Sequence, residues 1–164
     1  MNPLVTRFLL PFADRAASDA YVKQAMEHFS LHGFGLWAIE IPGVCQFIGC
    51  TGLTHIRYRA HFTPAVEIAW RLDPAYWGHG YATEAAQLAL TDGFGRVGLT
   101  EIVAVTAVGN QRSRRVMERL GMQRSAAEDF DHPQVPVDHP LRRHVLYRLS
   151  RVDWSRKVAA PTSL

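Results

Sequence analysis

The chain has 164 residues, nearly half of them hydrophobic and a fifth charged, which suits one soluble globular domain able to bury a core without staples. A net charge of +3 is too small to indicate a nucleic-acid partner by itself, and no apolar run reaches membrane-spanning length; Arg7 and Pro11 interrupt the apolar N-terminus, which has no small-residue cleavage site. Two cysteines, Cys45 and Cys50, exclude a secreted disulfide framework and have no metal-site company, so a cytoplasmic location is expected, with both thiols buried as small hydrophobes on opposite faces of one strand.

In chain order, Leu4 to Phe12 reads as a first strand stopped by Pro11. Asp14 to Phe29 is helical, with Ala17, Tyr21, Val22, Ala25, Met26 and Phe29 at three- and four-residue intervals. Leu36 to Ile41 and Gln46 to Leu53 form an antiparallel hairpin about the Pro42-Gly43 turn, and Gly49 and Gly52 in its second arm indicate a bulge or a close backbone approach. After a polar, aromatic loop (His55 to Pro64), Ala65 to Leu72 is a strand with Val66, Ile68 and Trp70 on one face and Glu67, Ala69 and Arg71 on the other. A helix from Gly80 to about Val97 carries the small stripe Ala82, Ala85, Ala86, Ala89, Leu90 and Phe94. Ile102 to Val108 is a buried strand, and Asn110 caps a helix over Gln111 to Leu120 that Gly121 ends. Met122 to Glu128 and Arg143 to Leu149 are the final strands, separated by a proline-rich loop, and the tail after Trp154 frays. The order β-α-β-β-β-α-β-α-β-β predicts a single α/β domain over 1–164, its core at about 4–150 and its tail at 151–164.

The stretch Trp70 to Ala86 is the centre of this pattern. A strand ends at Asp73-Pro74, Gly78 and Gly80 leave backbone amides uncovered, and a helix N-terminus follows at once. Such a junction favours an anion without any basic side chain. It is neither a P-loop, since no lysine is near, nor a dinucleotide fingerprint, since Thr83 stands where a third glycine is needed and Glu101 lies at the wrong end of the next strand. Arg112, Arg114, Arg115, Arg119 and Arg124 crowd one helix and its exit; aromatic and basic residues do not interleave, so a compact polyanion fits better than nucleic acid.

Glu67-Ile68-Ala69-Trp70, Tyr76-Trp77-Gly78-His79-Gly80-Tyr81-Ala82-Thr83-Glu84-Ala85, Asn110-Gln111-Arg112-Ser113 and Leu120-Gly121-Met122 together resemble the GNAT acetyltransferases. Thr6-Arg7-Phe8-Leu9-Leu10 is similar to the opening strand of the branch that acetylates ribosomal-protein N-termini. The resemblance implies a mixed, mostly antiparallel sheet flanked by helices, with a splayed strand pair holding acetyl-coenzyme A. It implies that the amides of Gly78, His79, Gly80, Tyr81 and Ala82, with Trp77 and Thr83 alongside, cradle the pyrophosphate. The pantetheine arm would pair with the strand edge Trp70, Arg71 and Leu72, where an amide can polarise the thioester carbonyl. Asn110 would hold the pantetheine, Ser113 would lie near the thiol, and Arg112 and Arg115 would meet the phosphates. Helix capping is the plain alternative for Asn110. Met117 stands where many members carry a tyrosine general acid, which leaves thiolate protonation to Ser113, to water, or to nothing.

Glu67 is the candidate base. A protonated amine cannot attack a thioester, and a carboxylate mid-strand among apolar residues is costly unless it has a task or a partner. His132, His139 and His144, with Asp131 and Asp138, match no metal spacing and would order the loop or line the acceptor side; Phe34, Trp37 and Tyr58 are acceptor-pocket candidates, with core packing the favoured reading. The expected function is acetyl transfer from acetyl-coenzyme A to a primary amine of a protein N-terminus or small molecule, with no metal, nucleic acid or membrane, by a monomer or homodimer. The second reading is a non-catalytic acyl-coenzyme A-binding regulatory module.

Overall fold

Two extended runs flanking the Pro42-Gly43 turn start the sheet, which a computed structural model describes within residues 2–160. Strand β1 (Leu36–Ile41) pairs antiparallel with β2 (Cys45–His55), and β2 with β3 (Val66–Leu72). Helix α3 (Tyr81–Gly95) then carries the chain across to β4 (Glu101–Ala107), so β3 and β4 run parallel, the geometry that a helical crossover imposes. Helix α4 (Gln111–Leu120) leads to two short strands, β5 (Gln123–Arg124) and β6 (Phe130–Asp131), that share the outer edge of β7 (Arg143–Ser150). The order is β1-β2-β3-β4-β7-β5, with β6 also on β7, in one seven-stranded sheet.

The core divides by face. Ala86, Ala89, Leu90 and Phe94 of α3 and Met117 and Leu120 of α4 pack on Leu53, Ile68, Ile102, Ala104, Val145 and Leu149. The small alanines bring α3 close to the sheet, and four of the six residues of the stripe read from the sequence, Ala86, Ala89, Leu90 and Phe94, form that contact, while Ala82 and Ala85 stay half-buried beside it. The other face carries a smaller cluster of Phe62, Val103, Phe130 and Leu146, with Tyr58 against it. Among the described residues no helix is long and apolar enough to cross a membrane.

Several expectations need correction. Residues 4–12 do not form a strand: Asn2 caps Leu4 N–H at 3.0 Å and Pro3 occupies the first turn of a short helix, α1 (Pro3–Thr6), after which the chain is irregular. Helix α2 (Arg15–His32) is longer than predicted, and its apolar series is largely exposed, Met26 to 67%. It meets the sheet at β1, and the residue it buries is His28. The predicted strand Met122 to Glu128 is broken after Arg124 by a 3₁₀ turn, Ala126–Glu128, which the Arg124–Asp129 ion pair holds closed. The tail after Trp154 is helical as far as Ala159 in α5 (Arg151–Ala159), because Ser150 caps Asp153 N–H at 3.1 Å and Trp154 is buried near Phe94. Cys45 and Cys50 are half-buried rather than fully buried, and both are free thiols. Residues 161–164 of the predicted tail lie outside the described residues.

Gly49 and Gly52 fix the spacing of the first three strands. A Cβ on Gly49 would stand 2.7 Å from the Leu72 Cα, and one on Gly52 would stand 2.8 Å from the Leu36 Cα. The opposing backbone cannot yield without breaking the ladder. Gly52→Ala is therefore expected to lower stability by about 3 kcal/mol or more. Gly43→Ala, whose Cβ meets nothing within 4 Å and whose only penalty is its positive φ, costs about 1 kcal/mol. Urea midpoints of the two variants test this; equal losses would contradict it.

Candidate active site

Strands β3 and β4 pair at one point, Glu67 opposite Val103, near the start of β3. Beyond it they part, so Trp70 to Leu72 face a gap instead of a neighbouring strand. Ligands of parallel pairs gather beyond the C-terminal ends of the strands, where loops and helix N-termini converge. Here both helix N-termini, α3 and α4, flank the mouth of the gap.

On the α3 side the strand is stopped by Asp73, whose carboxylate accepts from Ala75 N–H at 2.9 Å and sets the 3₁₀ turn Pro74–Tyr76. The Trp77 indole N–H donates to the Leu72 carbonyl at 2.9 Å, which locks the turn to the strand end. Gly78 and Gly80 then adopt φ of +86° and +89°, conformations that other residues resist. Gly80 is the N-cap of α3 and supplies no side chain, while Thr83 N–H and Glu84 N–H turn back to the Gly80 carbonyl at 2.9 and 3.1 Å. The Gly78, His79, Gly80, Tyr81 and Ala82 amides make no hydrogen bond among the described residues. The helix dipole adds positive potential at the same place.

On the α4 side Asn110 is fully engaged: its carbonyl accepts from Ser113 N–H at 3.3 Å and its amide donates to the Thr106 hydroxyl at 2.9 Å. Capping is therefore what its side chain does. The half-buried Ser113 hydroxyl has no hydrogen-bond partner among the described residues, and Met117 is buried in the core. The Arg112 guanidinium lies over the Trp77 ring, 4.7 Å from its centroid, and so joins the two helix N-termini across the mouth. Arg115 is exposed on the same helix.

Glu67 stands where the strands begin to part. Burial pushes its carboxyl up to about 7, and a hydrogen bond from its cross-strand neighbour Thr54 holds back part of that rise. On its side of the sheet Tyr58, Phe62, Phe130, His132 and His144 form one aromatic group, with the Tyr58 ring 4.4 Å from His132 and His132 4.8 Å from His144. The Tyr58 hydroxyl is buried without a partner, and its acidity is suppressed first by burial and then by the Glu67 charge. Burial, with His144 adding to it, pushes His132 down to about 4. Arg71 turns its guanidinium to the Phe12 and Tyr21 rings, 5.7 Å from each. Burial raises the Cys50 thiol above its usual range, with Arg71 opposing, so it is a poor nucleophile.

The sequence profile of the "Acetyltransferase (GNAT) domain" matches residues 1–123. The chain belongs to the GNAT acetyltransferase family. It is 33% identical over 119 residues to the N-acetyltransferase YnaD of Bacillus subtilis, covering 72% of this chain and 68% of that one. It is 27% identical to the FsC-acetyl coenzyme A-N(2)-transacetylase of Aspergillus fumigatus over 95% of this chain and 68% of that one. A GNAT-family acetyltransferase of Bacillus anthracis shares the fold at TM-score 0.71 and 24% identity, covering 92% of this chain and 84% of the other. The chain is an acetyl-coenzyme A-dependent N-acetyltransferase.

Within that GNAT frame, the residues singled out in the sequence fall into three places. Trp70, Arg71 and Leu72 end β3 and Trp77 through Thr83 make the turn into α3, while Asn110, Arg112, Ser113 and Arg115 belong to the cap and first turns of α4. Glu67 lies at the base of the gap. Tyr58, His132 and His144 gather on the Glu67 side, whereas Phe34 and Trp37 belong to the helix-side core, and His139 instead orders its loop by accepting from Leu141 N–H at 3.1 Å. No motif points to Phe62, from the loop between β2 and β3, or to Phe130, which the β6–β7 pairing brings to Glu67's side.

Glu67 and His132 give opposite pH responses. The folded state holds the Glu67 proton up to about pH 7 while the unfolded chain releases it near 4.5, so this carboxyl removes stability as pH rises between those values. Folded His132 stays neutral down to about 4 while the unfolded imidazole protonates near 6.5, so it removes stability as pH falls through that window. Between pH 5 and 7, Glu67→Gln should make urea stability rise more steeply with pH than in wild type, and His132→Asn should make it fall relative to wild type. Identical slopes in all three proteins would contradict both assignments.

Proposed function

We propose that the enzyme acetylates a primary amine by direct attack within a ternary complex, with Glu67 as the base. The observation that carries this reading is the position of Glu67 at the one pairing point of β3 and β4, with its pKa raised to about 7 by burial. A base titrating near neutral pH combines availability with strength. The acyl donor lies in the gap, with its diphosphate on the amides of Gly78, His79, Gly80, Tyr81 and Ala82 and its pantetheine along Trp70 to Leu72. A strand-edge amide polarises the thioester carbonyl, and Glu67, through a water, takes the proton from the attacking amine. The tetrahedral intermediate collapses, the carbon–sulfur bond breaks, and the thiolate leaves beside the Ser113 hydroxyl. Arg112 and Arg115 supply positive charge to the phosphates.

The acceptor presents its amine against the aromatic wall of Tyr58, Phe62, Phe130 and His132. A protein N-terminus or a small-molecule amine satisfies this. The ribosomal-protein-S5-alanine acetyltransferase of Vibrio fischeri shares the fold at TM-score 0.71 and 18% identity, covering 93% of this chain and 85% of that one, which is consistent with the first. The fungal transacetylase named above is, by its name, an N(2)-transacetylase, which is consistent with a nitrogen acceptor of either kind.

Acetyl-coenzyme A consumption across a panel of N-terminal peptides, polyamines and aminoglycosides separates the two acceptor classes. With any accepted amine, Glu67→Gln is expected to lower kcat/KM about 100-fold with little change in KM for acetyl-coenzyme A. The wild-type rate should rise with pH through an apparent pKa near 7, because only the carboxylate form acts as base. That limb should vanish in the variant. Gly80→Val, forced from φ +89°, should weaken coenzyme A binding about tenfold or more in calorimetry while the fold persists; unchanged affinity would remove the glycine turn from the donor site.

A further inference from the structure

His28 and His32 lie one turn apart near the C-terminus of α2, and the end of β2 brings His55 to them. The three rings are in mutual contact, with centroids 4.6 Å apart for His28–His32, 5.3 Å for His28–His55 and 4.4 Å for His32–His55. One nitrogen from each can be chosen so that all three lie within 4.8 Å of one another. None of this belongs to the acetyl-transfer machinery: His55 pairs with Val66 at the start of β3, away from the mouth of the gap.

The protonation of His28 follows from its partners. Its Nδ1 is 3.0 Å from the Phe34 carbonyl, which can only accept, so Nδ1 carries the proton and Nε2 presents a lone pair. That Nε2 is 3.1 Å from His55 Nδ1. Two nitrogens on one tetrahedral zinc stand about 3.3 Å apart, given Zn–N bonds of about 2.0 Å. A backbone carbonyl holding the far nitrogen of a buried imidazole is also the arrangement that orients metal-ligating histidines. His32 is the exposed member, with an i,i+4 relation to His28 that lets both reach one point.

We propose that His28, His32 and His55 form a binding site for a divalent transition metal of the zinc type, with a fourth, solvent-side position open to water. Three neutral imidazoles without a carboxylate select zinc, cobalt, nickel or copper over calcium or magnesium. The His55 main-chain N–H also donates to His28 Nε2 at 3.2 Å, so amide and metal compete for one lone pair. That competition sets the affinity below that of an uncommitted three-histidine site. Binding would cross-link α2 to β2 one residue from Thr54, the partner of Glu67.

The test is Zn²⁺ titration of the tag-free full chain by calorimetry and thermal denaturation, with Co²⁺ absorption reporting the ligand geometry. The proposal expects one Zn²⁺ per chain, a rise in Tm on the order of 5 °C at saturating metal, and visible tetrahedral Co²⁺ bands. His32→Ala, at an exposed position, should keep the wild-type Tm in EDTA yet weaken Zn²⁺ binding about tenfold or more, while His132→Ala should bind as wild type does. Equal Zn²⁺ binding by wild type and His32→Ala, loss of binding in His132→Ala, or no binding to the wild type would each overturn it.

Discussion

The structure depends on a failure of pairing. Parallel strands β3 and β4 share one register point, Glu67 with Val103, and then separate. A sheet interior normally satisfies its backbone groups on both sides, so an unpaired edge inside a sheet is an unfilled demand for hydrogen bonds. The crossover helix α3 starts where that edge ends, and Asp73, the Trp77 indole and two positive-φ glycines fix the junction. An extended ligand with an anionic end satisfies both needs at once: its amides complete the strand and its phosphates meet the helix N-terminus. Coenzyme A, the donor of the GNAT family, has that shape.

The same register point separates the chemistry of the two faces. The helix side is closed by alanine-rich α3 and by Met117 and Leu120 of α4, and holds the larger core. The Glu67 side is lined by aromatic rings and by imidazoles that burial keeps neutral. A carboxyl in such surroundings is driven toward its protonated form, which is the condition for a base that works near neutral pH. The residue at the one register point of β3 and β4 is thus also the residue whose carboxyl burial pushes up.

What was legible in the sequence was what local chemistry controls. Asn110 and Gly121 mark the ends of α4, Pro42-Gly43 marks the hairpin, and Gly78 and Gly80 mark the junction, because each residue acts within a few positions of itself. The opening segment differs from the expected strand because its alternating apolar residues imitate one, while Asn2 and Pro3 start a helix of a single turn. The split of the Met122 to Glu128 strand has a local part, the Arg124–Asp129 ion pair across the turn, and a distant one, Arg148, which bridges Glu128 and Glu101, both at 2.7 Å. No local window contains the second part. The C-terminal helix carries a local signal against the expectation of a frayed tail, Ser150 three residues before Asp153. The acceptor side was the least legible, since Tyr58, Glu67, Phe130 and His144 come from four separate segments and meet only through sheet register.

The central claim is that the parted edge of β3 and the uncapped start of α3 together receive the donor. Amide hydrogen exchange with and without coenzyme A tests it most directly. The account predicts that coenzyme A slows exchange in peptides covering residues 70–72 and 78–83, and leaves the β1 peptide 36–41 unchanged. Protection confined to other elements, or none at the glycine turn while coenzyme A is bound, would contradict it.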